Sequence, residues 1–405
     1  MNQMQKSTSR ISEQTWLILL MVISVLTMAV HLYLTLQHYQ LKLGLAESPA
    51  VCNVSSTFNC DTVSISRYAT LFGIPMALLG LITQVIFFTF LISARFSLSS
   101  ADSSIRRLLF WISLFVAGVS LVMGSFSAFA LGTYCLFCMA AYGLSVLQLV
   151  ASWKLQGTPL LSRLGSDFGI FIKQSRWVPI LLILIPVFAK ISHSIVLDSY
   201  GFGKLEMIVQ DAVSYWESSP VVNFKPETGL QLPARSGEAK MTIVEFADFL
   251  CPHCKSAFPT LDAFAQSHPD IQLTYKAFPL DKKCNKDIQR EGDGLTCRLT
   301  SAVFCAESMN QKGWAAHHWV FERQETFFRG AGDWVSQISQ DLQLDKQALE
   351  TCMNSDATHE SLQSMAQEGV DAKIQGTPTI YVNGKLLQRG QFLPILEAIY
   401  KKLNP

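Results

Sequence analysis

Long apolar stretches are the feature that most constrains this chain. A helix needs roughly 20 predominantly apolar residues to cross a bilayer. Five stretches meet or approach that need, namely 15–36, 69–94, 108–131, 133–153 and 177–197. The last is the weakest, because it contains two prolines, a lysine near its end and a histidine: Pro179, Pro186, Lys190 and His193. We therefore predict five transmembrane helices in the first half of the chain.

The first stretch has an alternative interpretation as a cleaved signal peptide. Its apolar run is longer than the ~7–15 residues of a signal-peptide core, it lacks an A-x-A site, and further spans follow. We favour a retained membrane helix.

The composition divides the chain into an apolar half and an ordinary globular half. The 405 residues are enough for two or three domains, and 16% are charged, against about 25% in an average soluble domain. Residues 1–200 hold 12 basic and 6 acidic side chains, and residues 201–405 hold 20 and 25. No basic patch interleaved with aromatic residues is present, so nucleic acid is not an expected partner.

The distribution of Lys and Arg predicts the orientation of the chain. If the N-terminus is cytoplasmic, the cytoplasmic loops and ends hold nine Lys and Arg residues and the opposite side holds two, as the positive-inside rule requires. Five crossings then place the second half outside. We predict a membrane domain over 1–155, a cytoplasmic loop, fifth helix and linker over 156–205, and an outer domain over 206–405.

This topology places all ten cysteines on one side of the membrane. One pair, Cys52 and Cys60, lies in the first outer loop, and a second, Cys135 and Cys138, lies at the outer start of the fourth helix. The other six belong to the outer domain. Disulfides form and persist on the oxidising side, whereas cysteines that merely fill apolar helices would be scattered.

The first half resembles the vitamin K epoxide reductase family over about residues 10–155. The resemblance rests on Cys52-x7-Cys60, Ser66, the segment LFGIPMALLG (71–80) and CLFC (135–138). It implies a four-helix bundle that holds a quinone (ubiquinone or menaquinone). By resemblance Cys138 faces the quinone ring and Cys135 exchanges with the loop pair. It also implies that Ser66 supports the quinone chemistry, since a hydroxyl can donate to the quinone oxygen as charge develops there.

Further pocket residues follow from the position of the second pair. Tyr142 is one helical turn after Cys138, so both can face the same pocket; an interface anchor is the equal alternative. Phe72, Gly73 and Met76 are candidates for shaping the pocket, although plain helix packing explains them as well. The asparagine donor of the family is replaced here by Ala69 and Thr70.

The second half contains a strand followed by a Cys-x-x-Cys at a helix start. MTIVEFADF has the pattern of a buried strand, CPHC (251–254) follows, and KSAFPTLDAFAQSH is typical of a helix. This context indicates a thioredoxin-like fold, in which the helix N-terminus stabilises a Cys251 thiolate. His253 can add a donor or positive charge. A zinc site would need a matching second pair, so we expect no metal.

A second motif supports the thioredoxin-like interpretation. GTPTIYVNGK (376–385) resembles the cis-proline segment of thioredoxin-like proteins, which implies that Thr377–Pro378 is cis and lies beside CPHC. TIYV is then a strand and NG its hairpin turn. With a long helical insertion over about 285–370, the half resembles the DsbA-like thioredoxin family over about 215–403. The expected fold is thus an α-helical membrane bundle followed by an α/β thioredoxin-like domain.

Four cysteines remain in the outer half, and they allow three pairings. The family resemblance favours Cys305–Cys352, which leaves Cys284–Cys297. Both would be structural staples, with a further redox relay as the alternative. We expect His317 and His318 to lie on a helix surface rather than to bind a ligand.

These features together predict a thiol oxidase of a bacterial inner (plasma) membrane, with a periplasmic C-terminal domain. Electrons from reduced exported proteins would pass through Cys251/Cys254, Cys52/Cys60 and Cys135/Cys138 to the membrane quinone pool. The alternatives are a thiol isomerase or reductase, a vitamin K epoxide reductase, and a transporter or metal-handling protein.

Overall fold

The computed structural model describes residues 2–46, 50–54, 57–96, 102–156, 177–201, 205–225, 228–330 and 332–404. The predicted cytoplasmic loop, residues 157–176, lies outside these. The chain forms two compact units, one of Met1–His38 with Ala50–Gly203 and one of Tyr39–Pro49 with Lys204–Pro405.

The first unit is helical. Its long helices are Asn2–Lys42, Met76–Arg95, Asp102–Ser125, Leu136–Gln156 and Trp177–Ser199, and the third continues as a π-helix over Phe126–Leu131. Among the described residues, four segments are long and apolar enough to cross a membrane: Glu13–Lys42, Met76–Arg95, Ile105–Leu131 and Leu136–Leu155. We refer to these as the first to fourth apolar helices. The fifth predicted span does form a helix, but its crossing of a membrane stays a prediction.

The predicted span 69–94 is wrong at its start. Residues before the second apolar helix form a small hairpin of β1 (Thr70–Leu71) and β2 (Ile74–Pro75). Phe72 and Gly73 make its turn, with φ of 51° and 79°. Pro75 is the N-cap residue of the helix, which begins at Met76. The turn at Phe72–Gly73 breaks the helix that apolar composition alone would extend.

A chain of polar side chains crosses the interior of the apolar bundle. Gln84 donates to the Oε1 of Gln148 at 3.0 Å and accepts from Ser24 at 3.2 Å. Gln148 donates to Ser113 at 3.4 Å, and the hydroxyls of Ser113 and Ser152 are 2.9 Å apart. All five side chains are buried. This series of buried polar side chains links the four apolar helices through hydrogen bonds. Such bonds are a main source of helix association in lipid, where the hydrophobic effect does not drive helices together.

The second unit is built on a five-stranded sheet. Its strands are β3 (Leu230–Leu232), β4 (Met241–Ala247), β5 (Ile271–Ala277), β6 (Thr379–Val382) and β7 (Lys385–Leu387), in the order β3-β5-β4-β6-β7. Only the β4–β5 pair is parallel. The central β4 is mostly buried, as expected for its β-branched and aromatic sequence.

The helices of this unit agree with the predicted strand–helix order and helical insertion. The helix after CPHC is Pro252–Ser267. The insertion consists of Leu295–Asn310, Gly313–Glu322, Gln324–Arg329, Trp334–Asp341, Lys346–Met353 and Asp356–Asp371. The helices Leu205–Ser218 and Leu393–Leu403 lie at the two ends of the unit's sequence.

The predicted NG turn joins β6 to β7. Asn383 and Gly384 have φ of 49° and 74°, the pair of positive values that a type I′ hairpin requires. A Cβ at Gly384 would lie 2.5 Å from the carbonyl oxygen of Val222, so glycine is required there for space as well as for conformation.

The insertion contains two disulfides and one buried histidine. Cys305 pairs with Cys352 and Cys284 with Cys297. The predicted surface position of His317 is wrong, because the side chain is only 1% exposed. Its ring lies among five aromatic rings, those of Phe249, Phe258, Tyr275, Trp314 and Phe321. The helix face that packs on the sheet carries His317, whereas His318 is half-buried and lies 3.6 Å from Asp262.

Candidate functional site

The two cysteine pairs of the first unit meet at one end of the bundle. Cys52 is bonded to Cys60 and Cys135 to Cys138, and the four pack in one cluster with Leu34. Backbone hydrogen bonds hold the segments together. The N–H of Tyr134 donates to Thr57 at 2.7 Å, and that of Asn59 donates to Tyr134 at 3.0 Å. The loop pair is thereby fixed beside the CLFC pair, which is the arrangement that disulfide exchange between them needs.

A buried carboxylate organises the loop around Cys52 and Cys60. Asp61 is 2% exposed and accepts hydrogen bonds from the Asn53 amide at 2.6 Å, the Ala50 N–H at 3.1 Å and the Gln37 side chain. The Asn53 Oδ1 in turn accepts from the N–H of Cys60 at 2.7 Å. Asn53 matches a glycosylation sequon, but its side chain is bound within this network.

An apolar cavity of about 840 Å³ opens beside the CLFC pair. Its walls include the predicted pocket residues Cys138, Ser66, Tyr142 and Met76. Phe72 is not among the lining residues and is 92% exposed, so the structure contradicts its assignment to the pocket. Phe72 lies in the hairpin turn, which directs its side chain away from the bundle.

The two predicted hydroxyl donors differ in whether their hydroxyl hydrogen is still available for a ligand. The Ser66 hydroxyl already donates to the Val63 carbonyl at 2.9 Å, so in this rotamer only its lone pairs are available. The Tyr142 phenol makes no side-chain hydrogen bond within the described residues and lies against Gly124. Tyr142 is therefore the donor that can serve a bound carbonyl oxygen.

The CPHC pair of the second unit lies at a helix N-terminus, as predicted. Cys251 is the N-cap residue of Pro252–Ser267, and both Cys251 and Cys254 are free thiols. The pKa of Cys251 is lowered from 9.0 to about 6, mainly by the hydrogen bond from the Cys254 thiol, with the N–H groups of Cys254 and His253 assisting against burial. Cys251 is thus mostly thiolate at neutral pH, and it is the nucleophile of the pair.

The second thiol has the opposite character. Cys254 is fully buried, and burial with the neighbouring Cys251 and Glu245 charges raises its pKa well above 9. Glu245 is itself buried in β4, and burial followed by the Cys251 charge raises its pKa to about 8. Its Oε1 has no hydrogen-bond partner among the described residues. A neutral carboxyl therefore lies near the buried thiol.

The cis-proline segment and the helical insertion both contact the nucleophile. Thr377–Pro378 is cis, and the Thr377 carbonyl lies 3.4 Å from the Cys251 sulfur. From the insertion, the Gln324 amide donates to the carbonyls of Phe249 at 2.8 Å and Cys251 at 3.0 Å. The His253 side chain is exposed, so its contribution through charge stays a prediction.

Several functional candidates escaped the sequence analysis, namely Asp61, Gln324 and Glu245. The sequence does carry a signal for Glu245, because an acidic residue within an otherwise apolar buried strand is rare without a partner or a function. Gln324 and Asp61 act through partners that are distant in sequence or in irregular loops, and no local pattern marks them.

Comparison with known proteins finds a family match within each half of the chain. The model of the vitamin K epoxide reductase family matches residues 18–153, and that of the DSBA-like thioredoxin domain matches residues 242–400. The chain thus joins a region that matches the vitamin K epoxide reductase family model to one that matches the DSBA-like thioredoxin domain model. We call these the VKOR domain and the DsbA-like domain.

Curated relatives match a little under half of the chain. The probable disulfide bond formation protein D of Bacillus anthracis is 22% identical over 202 residues, which is 45% of this chain and 87% of that protein. The disulfide bond formation protein D of Bacillus subtilis is 24% identical over 205 residues, 48% of this chain and 82% of that protein.

Solved structures match a similar share. Oxidised BdbD from Bacillus subtilis is 19% identical, with a TM-score of 0.37, and the match covers 46% of this chain and 99% of that one. The alpha-DsbA1 protein of Wolbachia pipientis is 16% identical, with a TM-score of 0.36, covering 47% and 96%.

The two domains and the cysteine geometry support thiol–disulfide oxidoreduction. The DsbA-like domain contains a nucleophilic thiolate beside a buried resolving thiol. The VKOR domain contains two adjacent disulfides, one of them on the wall of an apolar cavity.

Proposed function

We propose that this chain is a membrane thiol oxidase that makes disulfides in exported proteins and passes the electrons to a membrane quinone. The observation that carries the proposal is the position of Cys138. It belongs to a disulfide pair and lines an apolar cavity within a helical bundle, where a lipid-soluble acceptor can reach it.

The first exchange takes place at CPHC. A substrate thiolate attacks the Cys251–Cys254 disulfide, a mixed disulfide forms on Cys251, and the second substrate thiol resolves it. The substrate loses two electrons, and the CPHC pair gains them as two thiols. Glu245, with a pKa of about 8, can hold or supply the proton that Cys254 exchanges at neutral pH.

The VKOR domain then reoxidises CPHC. The Cys251 thiolate attacks Cys52 in the Cys52–Cys60 disulfide, which forms a Cys251–Cys52 mixed disulfide and frees the Cys60 thiolate. Cys254 then attacks Cys251, which restores the CPHC disulfide and leaves Cys52 and Cys60 as two thiols. Cys60 exchanges next with Cys135. Cys52, Cys60 and Cys135 all lie in one buried cluster, so the second exchange needs only local rearrangement. Each transfer oxidises one dithiol and reduces one disulfide.

The cavity residues fit a quinone. The walls are predominantly apolar, Tyr142 can donate to a ring oxygen, and Cys138 lines the same space. The chemistry that a bound quinone supplies is the acceptance of two electrons and two protons. The chain's own residues hold the ring, exclude water and present the Cys135–Cys138 dithiol.

The proposed setting is a bacterial inner membrane. The excess of Lys and Arg on one side supports a cytoplasmic N-terminus and a periplasmic DsbA-like domain, where reduced exported proteins are the substrates. A thiol isomerase or reductase is the second candidate, because thioredoxin-like isomerases can carry threonine before the cis-proline, as Thr377 stands here.

The experiment is oxidation of a reduced, unfolded cysteine-containing protein by the purified full chain in detergent, with and without added quinone. Cys138→Ala and Cys251→Ala are assayed beside it. We expect oxidation that needs the quinone and both cysteines, because each lies in a different segment of the relay.

The alternatives give different results. Thiol exchange that persists through Cys251 without a quinone would contradict the oxidase assignment and favour an isomerase or reductase. Turnover with vitamin K epoxide as sole acceptor would indicate epoxide reduction instead. A Thr83→Val variant serves as a matched control, because its hydroxyl lines the cavity but is bonded to the Leu79 carbonyl at 2.8 Å.

A further inference from the structure

His31 lies in the first apolar helix and lines the same cavity as Cys138. An ionisable side chain within a membrane helix is costly unless it has a function or a partner. The His31 Nδ1 lies 2.9 Å from the Thr27 carbonyl, one turn earlier in the helix. A carbonyl oxygen can only accept, so Nδ1 holds the hydrogen.

This bond fixes what the other ring nitrogen can do. In a neutral imidazole with hydrogen on Nδ1, the Nε2 atom presents a lone pair and acts only as an acceptor. Among the described residues, Nε2 has no hydrogen-bond partner. The cavity therefore has an acceptor on this wall, whereas Tyr142 supplies a donor.

A glycine on the facing helix makes room for this ring edge. A Cβ added at Gly80 would lie 2.0 Å from His31 Cδ2 and 2.1 Å from Nε2. Any other residue would displace the imidazole. Gly80 also lines the cavity, so the imidazole edge lies where the first and second apolar helices meet at its wall.

The position of His31 relative to the cysteines follows from helix spacing. Leu34 and Ala77 pack in the cluster with Cys138. His31 precedes Leu34 by three residues and Gly80 follows Ala77 by three, so each lies about one helical turn, ~5 Å along the axis, from the cluster. The imidazole thus faces the cavity one turn deeper than the reacting thiols.

We propose that His31 makes the quinone site selective for the reduced ligand, because its Nε2 accepts a hydrogen bond from a hydroquinone hydroxyl. The oxygen of a quinone carbonyl has no hydrogen to donate and meets the Nε2 lone pair with repulsion. This inference rests on the proposed function, and it assigns His31 a specificity role within the proposed site.

The consequence is a bound acceptor that is easier to reduce. By thermodynamic linkage, the logarithm of the ratio of the two dissociation constants sets the shift in reduction potential of the bound pair. A tenfold preference for the hydroquinone corresponds to about 30 mV for a two-electron couple. Such a shift would draw electrons from the Cys135–Cys138 dithiol toward the cavity.

The test measures binding rather than turnover. The full chain, reconstituted in nanodiscs under oxygen-free conditions, carries Cys138→Ser so that the ligands are not interconverted. A short-chain ubiquinone analogue and its hydroquinone are each titrated by equilibrium dialysis. In this background we expect the hydroquinone to bind more tightly than the quinone.

The His31 variants decide the origin of that preference. His31→Leu should weaken hydroquinone binding about fivefold to tenfold, as loss of one hydrogen bond predicts, and change quinone binding less than twofold. His31→Gln should retain most of the preference, because its amide oxygen can replace the Nε2 acceptor. Thr89→Val should leave both constants unchanged, because the Thr89 hydroxyl is bonded to the Val85 carbonyl at 2.9 Å and does not line the cavity.

Two outcomes overturn the inference while leaving the site intact. One is equal weakening of both ligands in His31→Leu, and the other is no weakening of either. Gly80→Ala provides an independent check if His31→Leu does not fold, since the added methyl displaces the ring and should cause the same selective loss. If the background chain binds neither ligand, the proposed quinone site itself fails, and this inference fails with it.

Discussion

At the residue scale, the chemistry of CPHC depends on opposite shifts of two thiol pKa values. The pKa of Cys251 is lowered to about 6 and that of Cys254 is raised by burial. The lowered pKa stabilises the reduced domain relative to its unfolded state. That stability is fully present above about pH 9 and is lost as the pH falls through about 6.

Alkylation of the reduced full chain should report this thiolate. The rate of Cys251 modification by iodoacetamide should reach half its maximum near pH 6, because only the thiolate reacts. In Cys254→Ala the midpoint should move up toward the usual thiol range, since the main hydrogen bond to Cys251 is lost. Equal midpoints in the two proteins would contradict the assigned cause.

The raised pKa of Glu245 predicts a second pH dependence, that of the stability of the reduced DsbA-like domain. Its pKa rises from 4.5 to about 8 on folding, so its contribution to stability is present below about pH 4.5 and lost as the pH rises through about 8. Glu245→Gln should therefore flatten the decline of the thermal unfolding midpoint of the reduced DsbA-like domain between pH 5 and 8. A parallel decline in both proteins would show that Glu245 is not the responsible group.

At the element scale, the four apolar helices are linked by buried polar side chains. The Gln84 and Gln148 amides form the centre of this hydrogen-bonded series. Replacing one of them leaves the other with an unsatisfied group in an apolar bundle. Hydrogen bonds between membrane helices contribute modestly, about 0.6–2 kcal/mol each.

A double-mutant cycle tests this coupling. Gln84→Leu and Gln148→Leu should each destabilise the bundle by about 1–2 kcal/mol, measured by the loss of helix in detergent titrations. The double variant should lose less than the sum of the two, because no orphaned amide remains. Additive losses would mean that the two amides act independently.

The disulfide Cys305–Cys352 is the corresponding staple of the helical insertion. It joins residues 47 apart in sequence, and closing a loop of that size is worth about 2–4 kcal/mol. Replacing both cysteines by alanine should lower the denaturant midpoint of the DsbA-like domain without abolishing thiol exchange at Cys251. Loss of exchange in a variant that remains folded would instead favour the redox-relay alternative.

At the scale of the whole molecule, the proposed relay gives the covalent link between the two domains a kinetic role. A tether of suitable length holds a partner at an effective concentration near millimolar. In the proposed relay, the DsbA-like domain would therefore need no diffusional encounter to reach its oxidant.

Cleavage of the tether between the domains should reveal how much the effective concentration contributes to the rate. A protease site inserted after Gly201, then cleaved, should lower quinone-dependent oxidation by about 10³-fold at micromolar protein, as the loss of a millimolar effective concentration predicts. The rate should then rise with protein concentration. A rate unaffected by cleavage would mean that the domains do not exchange electrons directly or stay bound without the tether. The uncleaved insertion variant is the control.

The sequence alone was sufficient for most features that depend on local pattern. Apolar runs predicted five spans, and four of them correspond to membrane-length helices among the described residues. The strand before CPHC, the NG turn and the helical insertion follow from periodicity and turn chemistry. The start of the second apolar helix was the exception, because the Phe72–Gly73 turn interrupts an apolar run without changing its composition.

Only the tertiary structure decided which distant residues meet. Asp61 at the loop disulfide, Gln324 against the carbonyl of Cys251, and His31 against Gly80 all depend on contacts between separate elements. The predicted surface position of His317 was wrong for the same reason. The sequence of its helix does not determine which face packs on the sheet. Periodicity is local in the chain, whereas burial and partnership are set by how elements pack, and these determine pKa values and ligand selectivity.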